Sequence, residues 1–175
     1  MDYYKILGLS RGASADEIKK EIVKKSKEAL NEMMTKPLIE YTQKNGVKVE
    51  VGKWFREYAG YICCNRETKK VSSTGPYSGT WRIENSEPEQ LTEEPWKYSS
   101  IATTQNIIED EKTECPKPTD AVAFYHTHPA SPNFSLGDFG FATDKKIAIT
   151  LFAPKMDTIK VGMPGIGTGA IPLLP

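Results

Sequence analysis

"AFYHTHPASPNFSLGD", residues 123–138, holds both histidines of the chain, His126 and His128, with a Ser-Leu-Gly-Asp step close behind them. The wider run "DAVAFYHTHP" reads as a β-strand. Strand side chains alternate between faces, so Val122, Phe124, His126 and His128 share one face. Pro129 ends the strand. Ser135 then opens "SLGD" as the N-cap of a helix, with Asp138 at its third position, where a carboxylate can turn back towards the strand end. A strand and a helix meeting at this point set the fold.

Two imidazoles one strand period apart can hold one metal ion, and Asp138 can add an anionic oxygen. Two nitrogens and one carboxylate leave a fourth position open for water, the arrangement of a catalytic zinc. Such a zinc brings the pKa of its water down to about 7. Taken singly, the parts have plainer readings: "SLGD" is a capping box, and a His-x-His pair is common on surface strands. Their combination in a chain with two histidines is what points to a metal site. Ser135 can cap the helix and still face that site.

Towards the C-terminus, "SLGDFGFATDKK" reads as the helix, and "KIAITLFAP" and "DTIKVGM" as a closing pair of strands. The tail "PGIGTGAIPLLP" is too rich in glycine and proline for a helix. Its glycines lack the lysine and following helix of a phosphate loop, which excludes a nucleotide site there. Towards the N-terminus, "REYAGYICCN" and "KKVSSTGPYSG" read as two strands joined by the turn "NRETKK", and "VKVEVGKWF" as a strand or lead-in. The stretch "SSTGPYSGTW" reads as an ordinary hairpin turn, with peptide binding by strand addition as its alternative. Residues 84–99, "ENSEPEQLTEEPWKYS", are acidic, proline-bearing and aperiodic, and read as an exposed loop.

The first segment, "DYYKILGLSRGASADEIKKEIVKKSKEALNEMMTKP", reads as two helices. Ser14 is the candidate N-cap of the second, with Glu17 completing a capping box, and Ile18, Ile22, Val23 and Leu30 recur at helical intervals. Pro37 limits that helix, with a further turn over "LIEYTQKNG" expected before Gly46 stops it. "DYYKILGLSRGASADEIKK" resembles the start of a J-domain, the co-chaperone module, over about the first twenty-five residues. The His-Pro-Asp loop of J-domains is absent, and "NEMMTKP" stands in its place. The segment is therefore expected to serve as a helical scaffold or docking surface.

"HTHPASPNFSLGD" resembles the JAMM motif of the JAB/MPN metallopeptidases: His-x-His, a loop opening with proline, then Ser-x-x-Asp. The gap to the aspartate is one residue shorter here. The resemblance covers about Trp54 to Val161 and implies that His126, His128 and Asp138 are zinc ligands. It implies a glutamate upstream that polarises the water and moves its proton, placed at Glu57, with Glu67 as fallback and Glu84 third. It makes Ser135 the partner of the oxyanion. The "HTHP" strand with "FS-x-x-D" resembles, more closely than it does the deubiquitinating members, a bacterial branch found at the tips of secreted polymorphic toxins of the Rhs and contact-dependent kinds. That branch implies a cognate immunity protein, secretion by a specialised system without a signal peptide, and action in a target-cell cytoplasm; a plain cytoplasmic location is the alternative.

Composition narrows the field. Lysine plus arginine and aspartate plus glutamate both number 23 in 175 residues, so no net field draws nucleic acid or an anionic membrane. Basic runs such as "KKEIVKKSKEA" read as solvated helix surface. A zinc deaminase needs His-x-Glu and Pro-Cys-x-x-Cys, and neither is here. No nucleophile-elbow sequence supports a serine or cysteine hydrolase. The three cysteines, Cys63 beside Cys64 and Cys115 alone, suggest no disulfide framework and a reducing compartment, with Cys63 and Cys64 as small core residues. No apolar run is long enough to span a membrane.

These readings predict an α+β protein: an N-terminal helical hairpin in residues 1–46, then a JAB/MPN-like body in residues 47–175, a curved mixed β-sheet flanked by helices. The expected function is zinc-dependent hydrolysis of peptide or isopeptide bonds in a protein or peptide substrate. The alternatives are a non-catalytic interaction module on the same shell and a toxin with another hydrolytic activity such as a nuclease, which the neutral charge disfavours.

Overall fold

A computed structural model describes residues 15–78, 114–129, 131–163 and 165–173. The Ser14 cap, the first of the two N-terminal helices, the acidic 84–99 loop and Glu84 lie outside the described residues.

Helix α1 spans Ala15–Thr35 and opens with Asp16 and Glu17, whose charges suit a helix N-terminus. Its stripe of Ile18, Ile22, Ala29 and Met33 is fully buried. Beyond Pro37, the expected helical turn is overturned. Leu38–Lys44 is strand β1, paired antiparallel with β2, Val47–Trp54. Asn45 and Gly46 between them both take positive φ, 53° and 77°. That is the two-residue Asn-Gly turn whose twist matches a hairpin, so the residues read as a helix stop make a strand reversal instead. The residue 46/47 boundary falls at this turn, and α1 lies in the same core as the sheet that follows.

The main sheet contains β3 (Tyr58–Asn65), β4 (Val71–Ser73), β5 (Tyr77–Ser78), β6 (Thr119–Thr127), β7 (Ala148–Phe152), β8 (Thr158–Met163) and β9 (Gly167–Pro172). Its order is β4-β3-β6-β7-β8-β9, with β5 beside β3. Every pairing is antiparallel except β6 with β7, which are parallel and joined through helix α2, Leu136–Lys145. With two helices among the described residues and a largely antiparallel sheet, the molecule is α+β. The tail's Gly167–Pro172 pairs with β8 as an edge strand that the sequence reading left unassigned.

Helices cover both faces of the sheet. Against α1 pack Tyr58, Ile62, Tyr125, Phe152, Ile159 and Val161. On the other face Tyr61, Phe124 and Ile149 meet Ala142 of α2. Strand β7, "AITLF", is buried along its whole length, as a strand covered on both sides must be. Gly60 of β3 is required by close approach: a Cβ there would lie 2.3 Å from the Thr74 carbonyl oxygen and 2.4 Å from the Tyr125 hydroxyl.

The cysteine expectation is corrected. Cys63 is disulfide-bonded to Cys115, 52 residues away, while Cys64 is free and buried. Alternation along β3 sends the two adjacent cysteines to opposite faces, so they cannot bridge each other. Cys63 instead meets the segment that leads into β6, the neighbouring strand.

Candidate metal centre

Strand β6 delivers the histidines. His126 pairs with Ala59 of β3 on one side and Leu151 of β7 on the other, and is 1% exposed. His128 stands one residue past the strand's end, yet its N–H still donates to the Phe152 carbonyl at 3.3 Å. The strand geometry therefore persists far enough to bring both rings to one face. Phe124 stacks on the His126 ring at 6.1 Å, and Phe134 lies against it at 6.3 Å, walling the site with apolar surface.

Helix α2 delivers the acid through its cap. The Ser135 Oγ accepts the N–H of Asp138 at 3.1 Å, and an Asp138 carboxylate oxygen accepts the N–H of Ser135 at 2.8 Å. This capping box folds Asp138 back over the helix start, buried, against both imidazoles. Its Oδ1 is 3.2 Å from Nε2 of His126 and its Oδ2 is 3.2 Å from Nε2 of His128. The two Nε2 atoms are 3.1 Å apart.

Protons alone cannot satisfy this triangle. Each Nε2 carries at most one hydrogen, so no more than two of the three contacts can be hydrogen bonds. Moreover, Nδ1 of His128 faces the Ser131 carbonyl oxygen at 3.2 Å, which draws the neutral ring's hydrogen to Nδ1. Nε2 then aims a lone pair at a carboxylate oxygen. Nδ1 of His126 is buried without a well-formed hydrogen bond, its polar neighbour being the Thr150 backbone. A cation among the three donors removes the conflict. Bonds of 2.0–2.1 Å at tetrahedral angles put donor atoms about 3.3–3.4 Å apart, close to the separations found here. The residues present fit a zinc ion, and two imidazoles favour a transition metal over magnesium or calcium.

The electrostatics reflect the same crowding. Burial pushes the Asp138 carboxyl up, but the two imidazoles facing its oxygens, helped by the Ser135 N–H, outweigh it and hold the group far below the usual carboxylate range. Burial drives the His126 ring below its ordinary value against the pull of Asp138. For His128 burial acts in the same direction, but Asp138 and the charge of Glu57 together leave it raised.

Glu57 lies in the link between β2 and β3, its Oε1 3.9 Å from Nε2 of His128. The Tyr58 N–H donates to the Thr127 hydroxyl at 3.0 Å, which pins the start of β3 beside the end of β6 and sets Glu57 at the cluster's edge. Glu67 sits elsewhere, exposed in the β3–β4 turn with its N–H on Asn65, at the opposite end of β3. Ser135 itself is exposed at the helix start.

His126, His128 and Asp138 form a group able to hold a metal ion, their candidate ligand atoms all within 4.8 Å of one another. Sequence reasoning missed the parts around it: the Ser131 carbonyl behind His128, the Phe134 ring beside His126, and Lys160 of β8, whose ammonium donates to the Asn133 side chain at 2.9 Å. The short loop "PASPNF" signalled a turn, but not that Ser131 and Phe134 within it would meet the two histidine rings. No protein-family model matches the chain, and no curated protein or solved structure matches it significantly.

Proposed function

We propose that this protein is a zinc-dependent hydrolase of peptide or isopeptide bonds, with a JAMM-like site on a JAB/MPN-like body. One observation carries the reading: two imidazole nitrogens and one carboxylate converge, buried, at separations suited to a shared tetrahedral cation, with a second carboxylate at the edge. His126, His128 and Asp138 hold the metal. When bound, zinc polarises a carbonyl and makes hydroxide available near neutral pH. Glu57, next to His128 but outside the closest triangle, takes the proton of the attacking water and returns it to the leaving amine. The Ser135 hydroxyl, which accepts from Asp138, keeps its own hydrogen to donate to the developing oxyanion. Apolar rings of Phe124 and Phe134 limit water around the reacting groups.

The resemblance to toxin tips suggests the setting: an effector domain acting in a target cell and held in check by an immunity protein. The Cys63–Cys115 disulfide suits a chain that meets an oxidising environment on the way.

The test is elemental analysis of the purified chain beside Asp138→Ala, with proteomics of cells expressing each. One zinc per chain, absent in the variant, with new peptide termini or released conjugates in the wild type alone, supports the proposal. Iron in place of zinc would turn the reading towards oxygen chemistry, since the same donor set serves non-haem iron. Bound zinc without any cleavage would leave a metal-bearing interaction module.

A further inference from the structure

Beside the cluster, on the same face of the sheet, runs a groove of about 520 Å³ between the start of α2 and strands β8 and β9. Register places it. His126 pairs with Leu151, Leu151 with Lys160, and Lys160 with Ala170, so one cross-strand row runs from the histidine to the groove. Paired residues point to the same face, and two strand spacings separate His126 from Lys160 by about 10 Å. A peptide advances about 3.4 Å per residue, so a substrate held at the cluster reaches the groove within two or three residues.

The groove has two chemistries. Its floor is aromatic: Phe134 and Phe139, ring centroids 5.2 Å apart, lie over Gly162, where a Cβ would come within 3.3 Å of the first ring and 3.4 Å of the second. The missing side chain is what lets both rings settle on the sheet. Phe139 remains 36% exposed, a large apolar surface turned to the groove rather than to the core. At the edge stands Lys160, whose ammonium has the neutral amide oxygen of Asn133 as its partner and no carboxylate among the described residues. An apolar floor with an ammonium beside it complements an apolar side chain that has a carboxylate next to it.

We infer that this groove is a specificity subsite, taking an apolar or aromatic residue of the substrate while Lys160 binds a carboxylate adjacent to it. This rests on the hydrolase reading for its role but not for its ligand. The carboxylate has two sources, a chain terminus or an acidic side chain.

Binding is tested without turnover, on the full zinc-loaded chain. The probes are N-acetyl-phenylalanine against its amide, and N-acetyl-Phe-Glu-amide against N-acetyl-Phe-Gln-amide, followed by NMR titration or calorimetry. Each acid is expected to bind at least tenfold more tightly than its neutral match if it is the source recognised, and Lys160→Glu is expected to abolish that difference while zinc content stays at wild-type level. Preference in the first pair alone assigns a chain terminus, and in the second alone an acidic side chain. Equal binding of acid and neutral probes overturns the inference. So does a preference that survives Lys160→Glu but disappears in His126→Ala, because the carboxylate would then sit on the metal. Absence of peptide cleavage would sink the hydrolase reading and leave these binding results standing.

Discussion

The Asp138 carboxylate accepts the backbone N–H of Ser135 at 2.8 Å, so the residue that closes the helix cap is also the one that faces both imidazoles. One side chain has two duties, and substitution can separate them.

Asparagine at position 138 keeps an oxygen for the Ser135 N–H but loses the charge that a cation needs. Asp138→Asn is expected to fold with stability near wild type and to lose more zinc affinity than the roughly 10–100-fold typical of changes to groups outside the ligand set. Asp138→Ala loses the cap as well, at a further cost of about 1 kcal/mol. Competition with a chromogenic chelator and urea titration measure the two effects; equal zinc affinity in Asp138→Asn and wild type would contradict the ligand assignment.

Glu57 and Ser135 are predicted to act on rate and not on metal content. Glu57→Gln should keep its zinc and lose about 10²–10⁴-fold in turnover. Ser135→Ala should lose about 10²–10³-fold, with about 1 kcal/mol of stability from the cap. Glu67→Gln, out in the β3–β4 turn, should behave as wild type. A Glu57→Gln enzyme of full activity would remove Glu57 from the mechanism.

Joining Cys63 to Cys115 closes a loop of about fifty residues, which by chain entropy alone is worth about 4 kcal/mol. Cys115→Ser, or the wild type in dithiothreitol, should lose a large part of that, read as a shift in the urea midpoint. Under non-reducing denaturing conditions one thiol per chain should react with Ellman's reagent, that of Cys64. Three reactive thiols would show that the disulfide does not form.

The tight packing at Gly60 makes a stability prediction. Alanine there drives a methyl into the Thr74 carbonyl and the Tyr125 hydroxyl, which hydrogen-bond to each other between β6 and the β4–β5 link. Gly60→Ala is expected to cost about 3 kcal/mol or more. Gly162→Ala meets the edges of two rings that can tilt, and should cost about 1 kcal/mol by the same denaturation assay.

Much of the site was legible because its signals are local. Period-two alternation put His126 and His128 on one face, and Ser135 three residues before Asp138 is a capping pattern that the helix start reproduces. The cysteines were misread for a related reason. Adjacent residues in a strand face opposite ways, which says what Cys63 cannot bond but not what it does. The "LIEYTQKNG" segment was misread because its Asn-Gly turn signal was weighed as a helix stop, when the same dipeptide between extended runs makes a hairpin.

From the order of residues alone came the two-histidine strand, the capped helix after it and the mixed α+β character, since each depends on neighbours within a turn or a strand period. Only the folded chain decided that Glu57 stands 3.9 Å from His128 while Glu67 does not approach it, that Cys63 finds Cys115, and that Lys160 reaches Asn133 across the groove. Those contacts join residues far apart in sequence. Sheet register and burial set them, and no local pattern encodes either.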